Sequence, residues 1–393
     1  MNKINKDWKE VKLGDIVDIT MGQSPKSEFY NKRNEGMPFL QGSATFGFMH
    51  PYFETYSSDI KKIAINGSVL MSVRAPVGDL NIANADVCIG RGLCSINGKS
   101  NIINRYIFYL LSYYKPKLLN MQKGTTFGAI TKDDILNFKV LIAEDIEEQK
   151  RIASALSKID AYLENTIKLI EEKERFKRGI AKKLLTCKEG ENIPEARFKG
   201  FEDEWMEVAI SKIGTIITGN TPSTKNESFW NSNNVWVTPT DIKQKYISNS
   251  ERKLTDDGLK KSRKLPANTL LITCIASIGK NAILKCEGAC NQQINAIIPN
   301  KNYNVDFLYY LFENEKSYLK FKAPQSVIKI MSKSEFSKLV FKFPLLEEQE
   351  KIGEYLSLLD AEIDNLKKQK ELIKEMKRGA MQKLLSGEVR LLE

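Results

Sequence analysis

The chain is written twice, and that duplication limits its possible folds more than any other feature. Trp8-Lys9-Glu10-Val11-Lys12-Leu13 returns as Trp205-Met206-Glu207-Val208-Ala209-Ile210, and Gly22-Gln23-Ser24-Pro25 returns as Gly219-Asn220-Thr221-Pro222. Gly67-Ser68-Val69-Leu70-Met71-Ser72 matches Asn268-Thr269-Leu270-Leu271-Ile272-Thr273, and Tyr106-Ile107-Phe108-Tyr109-Leu110 matches Phe307-Leu308-Tyr309-Tyr310-Leu311. The strongest match pairs Ile146-Glu147-Glu148-Gln149-Lys150-Arg151-Ile152 with Leu346-Glu347-Glu348-Gln349-Glu350-Lys351-Ile352. It continues through Ile159-Asp160-Ala161 and Leu359-Asp360-Ala361, then closes on Lys177-Arg178-Gly179 and Lys377-Arg378-Gly379. The offset stays near 200 residues, far too long for a solenoid repeat of about 20–50 residues. Each copy is therefore a domain followed by its own long segment.

Within each copy the texture changes once. The first part alternates short β-like runs, such as Ser68–Val73 and Leu270–Ile275, with Gly, Pro and Asn punctuation. A short helix at about Tyr106–Ser112, and its counterpart at about Phe307–Phe312, interrupts the strands. The remainder of each copy reads as one helix. The expected fold is α+β, a tandem duplication of a β-rich domain followed by a long helix. The expected segments are residues 1–144 for the first domain, 145–186 for the first helix, 187–344 for the second domain, and 345–393 for the second helix with its tail.

Both long helices carry a seam. Ile152, Leu156, Ile159 and Leu163 step by four and three in the first, as do Ile352, Leu356, Leu359, Ile363 and Leu366 in the second, the spacing of a coiled coil. Ile170, Ile180 and Leu184 continue the first seam loosely. Ile373, Ala380 and Leu384 keep the phase of the second, while Lys370 and Lys377 break it. Acidic residues open each helix and basic residues close it, as the helix dipole favours. About 40 residues at 1.5 Å each make a rod of roughly 60 Å. A one-sided rod needs a partner, and the duplicate is at hand; with a domain between them, the two helices are expected to pair antiparallel. Gly179 and Gly379 recur inside the helices, where glycine costs about 1 kcal/mol against alanine, which suggests close backbone approach there.

Net charge is +11, from 60 basic and 49 acidic residues, which favours a polyanionic partner. Residues 145–183 hold ten basic against eight acidic residues, and residues 347–383 hold eight against nine. The helices nearly cancel, so the excess sits on the β-rich domains. Mean hydropathy is −0.35, no apolar run reaches the ~18 residues of a membrane span, and the N-terminus lacks an apolar signal core. A cytoplasmic protein without membrane contact is expected. The six cysteines, at 88, 94, 187, 274, 286 and 290, then read as reduced, buried thiols. Their spacing lacks the usual Cys-x-x-Cys pairs, and the single histidine, His50, lies far away, so no metal site is expected. No phosphate-binding G-x-x-x-x-G-K-[ST] loop is present, nor an Asn/Asp-Pro-Pro-Tyr or Phe-x-Gly-x-Gly segment of adenine methyltransferases. Nothing recommends His50 for a nucleophile triad. No catalytic residues are expected.

This arrangement resembles the specificity subunits of type I restriction-modification enzymes. Three segments carry the resemblance. Phe341-Lys342-Phe343-Pro344-Leu345-Leu346-Glu347-Glu348-Gln349-Glu350-Lys351-Ile352 is similar to the family's lead-in to its conserved helix. Arg197-Phe198-Lys199-Gly200-Phe201-Glu202-Asp203-Glu204-Trp205 is similar to the lead-in to its second recognition domain, and Lys377-Arg378-Gly379-Ala380-Met381-Gln382-Lys383-Leu384-Leu385 to its helix ending. The first helix departs from the pattern, because Leu141-Ile142-Ala143-Glu144-Asp145 lacks the proline.

The resemblance implies that each β-rich domain is a target-recognition domain reading half of a bipartite, asymmetric site on double-stranded DNA, with the helices setting the unread gap. It implies two methyltransferase subunits on the helices and additional restriction/translocase subunits. S-adenosylmethionine, ATP and Mg would bind those partners, with no cofactor in this chain. Base-edge readout needs polar side chains on loops, with basic ones on phosphates. The candidates are Gln23, Ser24, Asn220 and Thr221 in the Gly-x-Ser/Thr-Pro loops. Lys123, Thr125, Thr126, Gln325, Ser326 and Lys329 lie before each long helix, and Arg74, Arg91, Lys280 and Gln292 follow expected strands. The competing reading is a duplicated coiled-coil scaffold for proteins, which leaves the confinement of charge to the domains unexplained.

Overall fold

The computed structural model describes residues 8–121, 129–323 and 330–391. It divides into two compact units, Met1–Lys168 with Lys367–Glu393, and Leu169–Leu366. Four helices organise them: α1 (Asn104–Met121), α2 (Ile146–Leu185), α3 (Val305–Asn314) and α4 (Leu346–Leu385). The unit boundaries cut α2 and α4 near their middles, so each unit holds one β-rich domain and half of each long helix.

In unit 1 the main sheet orders Val17–Met21, Leu93–Gly98, Val69–Ser72 and Leu80–Ile82, all antiparallel. Val69, Met71 and Ile96 share one core with Tyr106, Tyr109 and Leu110 of α1, while the alternate residues Leu70 and Leu93 enter a second core, so side chains that alternate between faces bury this sheet on both sides. A smaller sheet carries Met37–Leu40 beside Val87–Ile89. A third pairing, Trp8–Lys12 with Lys139–Ala143, joins the start of the domain to the strand that leads into α2. Unit 2 repeats the plan with Gly214–Thr218, Ile294–Pro299, Thr269–Thr273 and Asn281–Leu284 in its main sheet, adding Tyr246–Ile247 at the edge in parallel. Its ribbon pairs Met206–Ala209 with Val340–Phe343.

Three local expectations are corrected. The helix expected over Tyr106–Ser112 runs instead from Asn104 to Met121 and passes through Pro116. Proline forfeits one backbone bond, but Tyr114 and Leu118 are buried in the core, and that burial outweighs the lost bond. Second, a Cβ built on Gly179 or Gly379 would meet nothing within 4 Å among the described residues, so close backbone approach does not explain these glycines. Third, Cys187 and Cys286 are half-buried, whereas Cys88, Cys94, Cys274 and Cys290 are buried. Burial pushes the Cys94 and Cys290 thiols up to about 12 and Cys274 up to about 11, which keeps them protonated and unreactive. No group of three or more metal-binding side chains occurs among the described residues, and no described helix is long and apolar enough to cross a membrane.

The start of α2 shows what replaces the missing proline. Asp145 caps the helix, its carboxylate accepting from the Glu147 N–H at 3.0 Å and the Glu148 N–H at 3.2 Å, which satisfies two of the orphan donors of a first turn.

The repeated Glu-Glu-Gln then divides into three roles. Glu147 and Glu347 are exposed. Glu148 and Glu348 are buried, and each is gripped by two arginine nitrogens. Arg390 Nε and Nη2 reach Glu148 at 3.1 and 2.7 Å, and Arg197 Nε and Nη2 reach Glu348 at 2.9 and 2.8 Å. Arg390 lies on the chain leaving α4 and Arg197 on the chain leaving α2. Each helix start is thus closed by the segment that leaves the other helix. Gln149 and Gln349, also buried, staple this junction to the loop before α1 or α3. The Gln349 amide accepts from Asn304 N–H at 3.0 Å and donates to Pro344 O at 2.9 Å.

Inside each unit the half-helices run side by side in opposite directions. In unit 1, Ile152 and Leu156 share a core with Leu384 and Leu385, while Asp160 meets Lys377 earlier in α4. In unit 2, Leu184 and Leu185 share a core with Ile352, Leu356 and Leu359, while Lys173 meets Glu362 at 2.6 Å. Of the other seam residues, Leu163 and Ile363 are buried, and Ile159 and Leu366 are half-buried.

Candidate nucleic-acid interface

In each unit the Gly-x-Ser/Thr-Pro loop packs on the loop that enters the central strand of the main sheet. In unit 1, Gly22 N–H donates to Leu93 O and Gln23 N–H to Ile89 O, both at 2.9 Å. The approach requires glycine, because a Cβ on Gly22 would lie 2.2 Å from Gly90 O. Gly219 repeats this, its Cβ falling 2.2 Å from the carbonyl oxygens of both Cys290 and Asn291. Gly219→Ala is therefore expected to destabilise unit 2 by about 1–3 kcal/mol through overpacking, seen as a lower urea midpoint for the purified chain.

The contact brings several candidates together. Ser24 Oγ donates to Gln41 Oε1 at 2.9 Å and accepts from Arg91 N–H at 3.2 Å. Gln23 and Arg91 are exposed beside it. Arg74, also exposed, sits at the same end of the sheet, since Val73 N–H donates to Gly92 O at 2.9 Å. In unit 2, Thr221 Oγ1 donates to Gln292 Oε1 at 2.5 Å, and both residues are exposed. Lys280 is exposed at the turn between Thr269–Thr273 and Asn281–Leu284. Lys123, Thr125, Thr126, Gln325, Ser326 and Lys329 lie outside the described residues.

Asn220 plays a different part. Its Nδ2 donates to Lys261 O at 3.0 Å and its Oδ1 accepts from Arg263 N–H at 2.8 Å, so the amide organises a neighbouring loop and leaves Arg263 exposed beside it.

Sequence reasoning missed Arg263, Gln41 and the aromatic residues that hold these loops. The Trp236 indole N–H donates to Asn220 O and that of Trp230 to Ser223 O, each at 3.1 Å. The two rings meet edge to face at 4.9 Å, and the Arg252 guanidinium lies 3.8 Å from the Trp230 ring centre. In unit 1, Tyr30 does this work, donating to Pro25 O at 2.9 Å while stacking on Phe39 at 4.7 Å. Burial raises the Tyr30 phenol above its usual range, so it remains a donor. These aromatic pins differ in type between the copies, so the repeat comparison did not flag them.

The arrangement presents polar and cationic side chains on pinned loops. Such a surface suits recognition of a polar polyanion.

Comparisons with known proteins agree with this geometry. The chain matches the type I restriction modification DNA specificity domain over residues 5–172 and again over 202–375. It is 44% identical over 191 residues to the putative type I restriction enzyme MjaX specificity subunit of Methanocaldococcus jannaschii, covering 48% of this chain and 45% of that protein. For this relative and the MjaIX specificity subunit of the same organism, the match spans less than half of the relative's length. The HindI specificity subunit of Haemophilus influenzae is 29% identical over 480 residues, covering 98% of this chain and all of that protein. The crystal structure of the type I restriction-modification S subunit from M. genitalium superposes with a TM-score of 0.64 at 16% identity, covering 98% of this chain and 97% of that one. With both of its copies matched, the chain belongs to the type I restriction modification DNA specificity domain family.

Proposed function

We propose that this chain is the DNA-reading subunit of a type I restriction-modification complex, with each unit reading one half of a bipartite, asymmetric site. One observation carries the reading: the same pair of loops converges in both units, on a repeated glycine contact, yet presents different side chains. On these loops Gln23, Ser24 and Arg91 stand in unit 1 where Asn220, Thr221 and Gln292 stand in unit 2. A common frame with unlike polar surfaces is what two readers of unlike half-sites require. The long helices act as a coiled-coil ruler of roughly 60 Å, enough to reach successive major-groove turns about 34 Å apart. The four segments divided at residues 144, 186 and 344 are its recognition domains and spacers. The chain carries no catalytic centre and works as a cytoplasmic subunit.

Two methyltransferase subunits bind the helices, supplying S-adenosylmethionine chemistry, and restriction/translocase subunits bring ATP and Mg. Exposed apolar side chains support protein partners there, with Tyr162, Leu372 and Met376 in unit 1 and Leu169, Phe176 and Leu358 in unit 2. A scaffold without DNA would leave the convergent loops unused.

The test is residue by residue. Gln292→Ala should relax one position of one half-site, at a cost of about 1–3 kcal/mol to the preferred base, and leave the other half-site intact. Arg91→Ala should weaken binding to all sequences alike and flatten its salt dependence. Binding by the complex with its methyltransferase, measured on duplex libraries, reads both. Relaxation of both half-sites by Gln292→Ala would contradict the assignment of one half to each unit.

A further inference from the structure

Lys177 and Lys377 occupy seam phase, where an apolar residue belongs, and the reading role above makes no use of them. In unit 1, Lys377 Nζ lies 2.6 Å from Asp160 Oδ1, and the Asp160 side chain is 2% exposed. That oxygen has no hydrogen bond of good geometry, so the nearby ammonium charge is what compensates it. The other oxygen accepts from the Tyr109 hydroxyl of α1 at 2.8 Å. Lys377 also sits 5.6 Å from the centre of the Tyr109 ring. Unit 2 repeats the arrangement. Lys177 pairs with Asp360, the Tyr310 hydroxyl of α3 donates to Asp360 Oδ2 at 2.6 Å, and Lys177 lies 5.2 Å from the Tyr310 ring centre. Burial raises both phenols, which keeps them as donors.

Three of the repeated motifs thus meet on one carboxylate, twice. The Lys-Arg-Gly motif gives the cation, the Asp-Ala motif of the other long helix gives the carboxylate, and the tyrosine comes from the domain helix under the main sheet. A buried polar group in a helix seam characteristically specifies alignment, at a cost in stability. Sliding the lysine-bearing half-helix by a turn, about 5.4 Å, would part the ammonium from the carboxylate and leave Asp160 with the Tyr109 hydroxyl but no cation.

We propose that these two Lys–Asp–Tyr junctions are positioning residues. Each locks its recognition domain to one alignment of the half-helices, and the locks together fix the gap at which the half-sites are read. The proposal rests on the bipartite reading given above. Unit 2 adds a further tie. Lys245, whose backbone position at the sheet edge corresponds to Met49 in unit 1, donates to Ser357 Oγ at 2.6 Å and to the Tyr310 hydroxyl at 3.1 Å. The junction of unit 1 is the simpler one to test.

The experiment uses the complex reconstituted with its methyltransferase and duplexes carrying both half-sites at the native gap, one base pair shorter and one longer. The double variant Asp160→Leu/Lys377→Leu replaces the ion pair with apolar side chains, a change that buried pairs commonly tolerate. It should bind the native gap within roughly threefold of wild type, while its preference for that gap falls about tenfold, equal to about 1.4 kcal/mol. Lys377→Arg should keep the preference. Tyr109→Phe, which removes one hydroxyl only, should lower it by a smaller factor and serves if the double variant does not fold. An unchanged gap preference in the folded double variant, or in Tyr109→Phe where that alone folds, would overturn the proposal. If the wild-type complex ignores the half-sites altogether, the bipartite reading itself fails, a distinguishable result.

Discussion

Arg197→Ala should cost unit 2 about 3–5 kcal/mol, measured by urea unfolding and by faster proteolysis of the segment around residues 186–205. The Arg197 guanidinium is the cation on Glu348, whose side chain is 2% exposed. Two parallel N–H bonds at 2.9 and 2.8 Å tie the pair, and Arg197 Nη2 also donates to Asp203 O at 2.6 Å. Alanine would leave a carboxylate at the base of α4 with, among the described residues, the Trp205 indole N–H alone, 3.3 Å away. A buried charge stripped of its partner is far costlier than the pair's own net worth. Arg197→Met with Glu348→Leu should therefore recover most of the loss. Arg390→Ala should act in the same way on unit 1, through Glu148, whose side chain is fully buried. An Arg197→Ala protein as stable as wild type would show that the clasp does not hold the helix start.

Gln349→Leu should cost about 2–4 kcal/mol, the second-largest effect expected. Leucine matches the volume of the side chain but none of its bonds. It would strand the Asn304 N–H and the carbonyls of Pro344 and Asn302, which the amide now meets at 3.0, 2.9 and 3.3 Å. Unsatisfied buried groups cost about 1–3 kcal/mol each, with partial relief as the loop relaxes toward water. Gln149→Leu removes the matching bonds to Ile103 N–H, Ala143 O and Asn101 O. Glu347, exposed in the first turn of α4, is placed to favour the helix dipole, so Glu347→Ala should cost no more than about 1 kcal/mol. Denaturant midpoints of the two variants separate the roles of two residues in one motif.

Much of the architecture was legible because its signals are local. The strands bounded by glycine and asparagine and the four-three spacing of apolar residues in α2 and α4 lie within short windows, and the duplication shows itself by matching such windows across about 200 residues. The motif Glu-Glu-Gln was visible as a repeat, yet its meaning was not. Glu148 finds Arg390 across 242 residues and Glu348 finds Arg197 across 151, and no sequence spacing encodes such a meeting. The same holds for Lys377, which read as a break in the seam until Asp160 stood opposite it. At the candidate interface, the glycine-containing loops announced themselves through their repeat. Asn220 matched that pattern too, but its amide is committed to residues 261–263, a bond between loops that only the folded chain reveals. The tryptophans that pin this loop fall where the two copies diverge, so neither repetition nor periodicity pointed to them.

Mapping adenine methylation across the genome of cells that express this chain with its methyltransferase tests the central claim most directly. Two unlike readers on one ruler should produce a single new motif, with two different specified parts separated by a gap of constant length. A motif without a gap, two identical half-sites, or no added methylation despite a stable complex would contradict it.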